Sequence, residues 1–171
     1  MVYIGIIWNT VNTFKNEIIE DINMFGTVLR YYEIELGENY DKFVRKIYEY
    51  DGIAEWKVDL KLKAMNDSDN TNIVVIFIQI DDLKKEYNEK KKKEVIVSIE
   101  NLKDYIRSKY CEKIPNYYFD NTFHMTDNEQ ELASTLIVLR EFLYNEYDDY
   151  KNNYCDKNKM LVRKKEYNEN K

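Results

Sequence analysis

Asn121-Thr122-Phe123-His124-Met125-Thr126-Asp127-Asn128-Glu129 holds the one histidine of this chain. The apolar residues before it predict a strand over 119–124. The residues after it predict a helix from Thr126 to about 147. Thr126 and Glu129 have capping-box spacing, in which the hydroxyl accepts an amide three residues on and the carboxylate reaches back. Leu132, Leu136, Leu139 and Leu143 then recur at helical spacing and set one apolar stripe toward a core. An imidazole beside the amides of a helix start sits where anions bind. The dipole there disfavours the imidazolium, so the ring is expected to stay neutral and nucleophilic. A strand-to-helix turn carrying such a ring points to phosphoryl chemistry.

Working outward, 171 residues suit one domain, expected over 1–147, followed by a polar and flexible tail over 148–171 with a small apolar island at 160–162 and room for one docked strand. The formal net charge of −6 argues against nucleic-acid coating and against an anionic membrane surface. Cys111 and Cys155 stand far apart without CxxC spacing, which argues against a disulfide framework or a structural zinc site and fits a reducing, cytoplasmic setting. The short apolar start lacks a basic leader and reads as a first strand. No stretch approaches the roughly 20 apolar residues of a membrane span.

Residues 2–8 and 73–80 are apolar on both parities, as central strands are. Phe14, Ile18, Ile22 and Phe25 predict a helix closed by Gly26. Residues 28–36 predict a second strand with Val28, Tyr32, Ile34 and Leu36 on one face and Arg30 interrupting it. Tyr40, Phe43, Val44 and Ile47 open a helix pair closed near Asp51-Gly52 and resumed over 53–65. Residues 81–93 end in four lysines and read as a solvated loop or exposed helix, or alternatively as a mobile cationic lid over phosphates. Ser98 opens a helix bearing Ile99, Leu102 and Ile106, with Arg107 just off its buried face. The resulting order suits an α+β, ferredoxin-like (split βαβ) four-stranded antiparallel sheet with helices on one face plus an inserted helix pair.

The segment Asn121-x-x-His124-x-Thr126-Asp127 resembles the phosphohistidine segment of nucleoside diphosphate kinases. Ile106-Arg107 is similar to an Ile-Arg pair upstream of it in that family. Tyr48 and Trp56 have the separation of the family's active-site tyrosine and base-stacking aromatic. The resemblance covers roughly 2–145 and implies nucleoside di- or triphosphate ligands, Mg²⁺ carried with the nucleotide, and a symmetric oligomer. It implies attack by His124 on a terminal phosphate, with Arg107, Asn121, Tyr48, Trp56 and Thr126 as phosphate or nucleotide contacts.

Several family positions differ. Trp8-Asn9 replaces Lys-Pro at the end of the first strand, Met125 replaces a glycine, and Thr135 stands where a carboxylate orients the histidine. The second phosphate-binding arginine has no counterpart. Losing one charged phosphate contact costs about 2–4 kcal/mol of transition-state stabilisation.

For each residue a structural role competes with the functional one. His124 could be a satisfied structural histidine, Arg107 a helix salt-bridge partner, Asn121 a loop tie, and Tyr48 and Trp56 core aromatics. No cluster has metal-ligand spacing, so Mg²⁺ is expected only with phosphates. Two functions follow. One is an enzyme transferring or hydrolysing a nucleotide phosphate through His124. The other is a non-catalytic module that binds, senses or sequesters nucleotides, or a subunit of a larger assembly.

Overall fold

The computed structural model describes residues 1–66, 70–118 and 120–144 and the backbone at 165–166. Strand β1 (Val2–Ile7) leads through a 3₁₀ segment into helix α1 (Lys15–Ile22) and strand β2 (Thr27–Glu35). Helices α2 (Tyr40–Tyr50) and α3 (Glu55–Met65) precede strand β3 (Asn72–Gln79). Strands β4 (Lys85–Asn88) and β5 (Lys93–Ile96) form a separate hairpin, followed by helix α4 (Val97–Tyr110). Strand β6 (Phe123–Met125), helix α5 (Glu129–Tyr144) and strand β7 (Lys165–Glu166) complete the described chain.

The main sheet has the order β6-β1-β3-β2-β7, antiparallel at every pairing. Leaving aside β7, this is the ferredoxin-like split βαβ arrangement of four strands. β7 joins the outer edge of β2 through Tyr32 and Glu33. β7 is the one described part of the tail, where a docked strand is expected; the 160–162 island and the rest of the tail lie outside the described residues.

β1 and β3 are buried on both sides because their side chains alternate between two cores. Ile4, Ile6, Trp8, Ile73 and Val75 face α2, α3 and α5. Tyr3, Ile7, Val74, Ile76 and Ile78 face α1 and α4. The two crossover helices thus share one face of the sheet, and the inserted helix pair shares the other with α5.

Several local expectations shift. The pairing of β2 with β3 is irregular between Val28 and Arg30, and a bulge there reverses parity. Val28 therefore packs toward α1 and α4, while Tyr32 and Ile34 pack on the opposite core. Helix α1 ends at Ile22, three residues earlier than its apolar spacing suggests. Gly26 instead allows close approach to β3, since a Cβ there would lie 2.7 Å from the Gln79 carbonyl oxygen. The charged stretch over 81–93 is largely a β-hairpin. Ser98 donates to the Asp82 carbonyl at 2.6 Å and so ties the hairpin to α4.

The start of the last helix is also displaced. Asn128 accepts the Glu131 amide at 2.9 Å and is the cap of α5. The Glu131 carboxylate reaches back to the Asp127 amide at 3.0 Å. Thr126 is occupied elsewhere: its hydroxyl accepts the Ile4 amide at 3.0 Å and clamps the end of β6 to β1. Among the described residues, no helix is long and apolar enough to cross a membrane.

Candidate functional site: a cation-lined cleft over His124

His124 lies opposite Ile6 in the β6–β1 pairing, and its side chain points to the core shared by α2, α3 and α5. Tyr48 meets the imidazole edge-on at 5.6 Å and Trp8 is 6.4 Å away, centroid to centroid. Above the ring opens a cleft of about 610 Å³, walled by the end of α2, by α3, α4 and β5, and by the turn into α5. Among the described residues Lys57, Lys61, Lys91, Lys93, Lys103 and Arg107 bring six cations to it. The acidic net charge of the chain does not describe this concavity.

These cations are held in different ways. Lys103 is 5% exposed, and its Nζ lies 2.7 Å from Glu100 Oε1 and 3.0 Å from Asp127 Oδ2. Lys93 reaches Asp127 at 3.4 Å and Glu131 at 3.6 Å, and Lys91 pairs with Glu100. Arg107 Nε donates to the Phe123 carbonyl at 3.2 Å while Nη1 lies 3.3 Å from Asp120. Arg107 therefore braces the strand next to the histidine and still borders the cleft. Lys61 is also 5% exposed, but it donates to the Tyr48 hydroxyl at 2.8 Å and has no carboxylate in ion-pair range among the described residues. Its ammonium sits 4.0 Å from the centre of the Tyr48 ring.

The electrostatics follow from that packing. Burial pushes the Lys61 ammonium down to about 7. His124 is pushed down to about 3, first by burial and then by Lys61, Lys103 and Arg107. The ring is therefore neutral near pH 7, as expected, although the cause differs. The helix-start amides of Asp127 and Glu131 already have acceptors. Burial and surrounding cations keep the proton off instead. Burial raises the Asp127 carboxyl, but Lys103 beside it overcomes this and holds it well below the usual carboxylate range. Asp51, at the end of α2, is raised to about 6 by burial and by Glu131 and Asp127. Its Oδ2 lies 3.7 Å from His124 Nδ1. The other ring nitrogen, Nε2, is buried with no hydrogen-bond partner.

His124, Arg107 and Tyr48 come together in this cleft. Asn121 does not line it. It is fully buried, accepts the Tyr118 amide at 3.2 Å and donates to the Asn116 carbonyl at 3.1 Å, as a loop tie does. Thr126, bonded to Ile4, is also fully buried and outside the lining. Trp56 is 57% exposed on the first turn of α3, beside the cleft residue Lys57. Lys61, Lys103 and Asp51 were not anticipated from the sequence. The available signal was a lysine inside each buried stripe, Val58-Lys61-Leu62-Met65 and Ile99-Leu102-Lys103-Ile106. Among the described residues, no group of three or more His, Cys, Asp or Glu could hold a metal ion.

No protein-family profile matches the chain, and no curated protein matches it in sequence. Among solved structures it is similar to a nucleoside-diphosphate kinase from Borrelia burgdorferi, a transition state mimic with bound vanadate and ADP. That match has 12% identity and a TM-score of 0.47, covering 81% of this chain and 85% of the other.

Proposed function

We propose that the cleft binds the phosphates of a nucleoside di- or triphosphate and that His124 accepts the terminal phosphoryl group. The observation that carries this reading is a neutral imidazole opening on a concavity with six cationic side chains among the described residues. Phosphoryl transfer needs little covalent help from a protein beyond positioning and stabilisation of charge on the phosphoryl oxygens. Lys61, Lys93, Lys103 and Arg107 supply that positive field. Nδ1 borders the cleft beside Asp51, whereas Nε2 is enclosed, so Nδ1 is the attacking atom. Its lone pair attacks phosphorus as the bond to the bridging oxygen breaks. The nucleoside diphosphate leaves with that electron pair, and Nε2 keeps the ring proton. Water or an acceptor nucleotide then takes the phosphoryl group. Mg²⁺ enters with the nucleotide, held by its phosphate oxygens.

Incubation with γ-labelled ATP tests this reading. Acid-labile, alkali-stable label is expected on the wild type and none on His124→Ala. Label that persists in His124→Ala overturns the role of the ring. A second reading, binding without turnover, is favoured by the orphaned Nε2, since nothing fixes the ring's tautomer from behind. Thr135, at the position of the family's orienting carboxylate, is buried and uncharged. Calorimetric nucleotide binding without label on the wild type selects that alternative.

The base belongs on the exposed Trp56 indole at the cleft rim, with Tyr48 forming the inner wall. Nucleotide should therefore quench the emission of the wild type and leave that of Trp56→Phe unchanged. Equal quenching in both proteins removes Trp56 from the site. A symmetric oligomer belongs to the same proposal and is read by sedimentation equilibrium.

A further inference from the structure

Among the described residues four carboxylates line the cleft, and three of them are paired with cations. Asp127 is tied to Lys103 and Lys93, Glu131 to Lys93, and Asp120 to Arg107. Asp51 has no cation within ion-pair distance among the described residues, apart from the neutral His124 ring 3.7 Å from its Oδ2. An unpaired carboxylate thus stands inside a positively charged concavity, beside the ring nitrogen that borders it. A phosphorus poised for attack lies about 3–3.5 Å from its nucleophile, so a phosphoryl group and this carboxylate contend for one position.

We propose that Asp51 gates the anion site: its carboxylate holds the place of the phosphoryl group beside Nδ1, and an anion enters only where that carboxylate is neutralised or displaced. This rests on the reading of the cleft as a polyphosphate site. The groups facing Asp51 come from every wall. Glu131 and Asp127 at the start of α5 favour its protonated form, while Lys103 on α4 and Lys93 on β5 oppose it. Lys61 of α3 lines the same cleft, and Asp51 supports its charge. Burial is the largest influence and leaves Asp51 titrating at about 6. Acidification through that value removes the competing negative charge. His124 stays neutral throughout, because it accepts a proton only near 3. Lys61 gains its proton below about 7 and strengthens anion binding in the same direction, so a variant must separate the two effects.

Sulfate is the suitable probe, since it keeps its charge across the neutral and mildly acidic range. As the single histidine, His124 gives one imidazole ¹⁵N signal set with which to follow binding. Asp51→Asn should bind sulfate and pyrophosphate at least about tenfold more tightly than wild type at neutral pH, because a like charge at such range strongly opposes an anion. Wild-type affinity for sulfate should rise as pH falls through 6, and that of Asp51→Asn should show only the shallower Lys61 limb. Equal or weaker sulfate binding by folded Asp51→Asn overturns the gate while leaving the polyphosphate site standing. A wild-type affinity that is flat from neutral to acid pH also overturns it, with no need of the variant. If neither protein binds sulfate, pyrophosphate or nucleotide at any pH, the polyphosphate reading fails and the gate falls with it.

Discussion

Lys61→Met is expected to make the protein more stable and less able to hold an anion. Lys61 is buried and donates to the Tyr48 hydroxyl, and among the described residues no carboxylate is close enough to pair with it. Burial lowers it from an ordinary 10.5 to about 7. Between these values the unfolded chain binds a proton that the folded chain releases, so stability rises with pH across that window. At pH 7 and below, the folded state carries the whole penalty. A gap of that size corresponds to about 4–5 kcal/mol of differential interaction. Methionine removes the charge but leaves the Tyr48 hydroxyl without its donor, so a net gain of about 2 kcal/mol is expected. In a chain of this length that is a rise of roughly 4–8 °C in Tm. Denaturant unfolding at pH 7 and 9 checks the sign: wild-type stability should climb with pH and that of Lys61→Met should not. Sulfate affinity near pH 7 should fall about tenfold or more, as expected for loss of a desolvated charge contact. A variant that is destabilised at pH 7 would show that Lys61 is not the strained group described here.

A buried charge kept without a counter-ion is the kind of local inconsistency expected at a functional site. It also marks the limit of what the sequence could reveal. The sheet was legible because 2–8 and 73–80 are apolar on both parities, a pattern that suits central strands covered on both faces. The helix stripes of 40–47 and 99–106 were legible from their spacing. The hairpin over 85–96 was not, because its Lys-Glu-rich strands have low β propensity and lie mostly in solvent. The start of the last helix was not legible either: the cap expected at Thr126…Glu129 is made by Asn128 and Glu131. The contact of Thr126 with Ile4, 122 residues away, takes Thr126 out of that role. Lys61 and Lys103 were passed over because a lysine within an apolar stripe ordinarily carries its ammonium out to water. Here both ammonium groups border one cleft. The stripe of α3 packs in the core of α2 and α5 and that of α4 in the core of α1, so only the tertiary fold reveals their meeting. His124 was the exception, singled out by its rarity and by its strand end.

Lys103→Met should have the opposite balance of effects. Lys103 is buried to the same degree as Lys61, but it lies within 3.0 Å of two acidic groups, Glu100 and Asp127. Removing it leaves two largely buried carboxylates short of charge. Breaking a buried pair from one side costs about 3–5 kcal/mol. Lys91 remains on Glu100 and Lys93 on Asp127, so the lower end of that range is expected, about 3 kcal/mol and a fall of roughly 6–12 °C in Tm. Asp127 and Glu100 are both held below their ordinary values, each by Lys103 working against burial. Their contribution is therefore present above the unfolded carboxylate range and is lost as pH falls through and below it. The difference in stability between wild type and Lys103→Met should accordingly narrow on acidification below about pH 4. Because two carboxylates already neutralise Lys103, its loss should weaken sulfate binding less than the loss of Lys61. Chemical denaturation and the His124 resonance give both orders on the same samples. If Lys103→Met proves the milder change for folding or the harsher one for the anion, the division between a structural and a ligand-directed lysine is wrong.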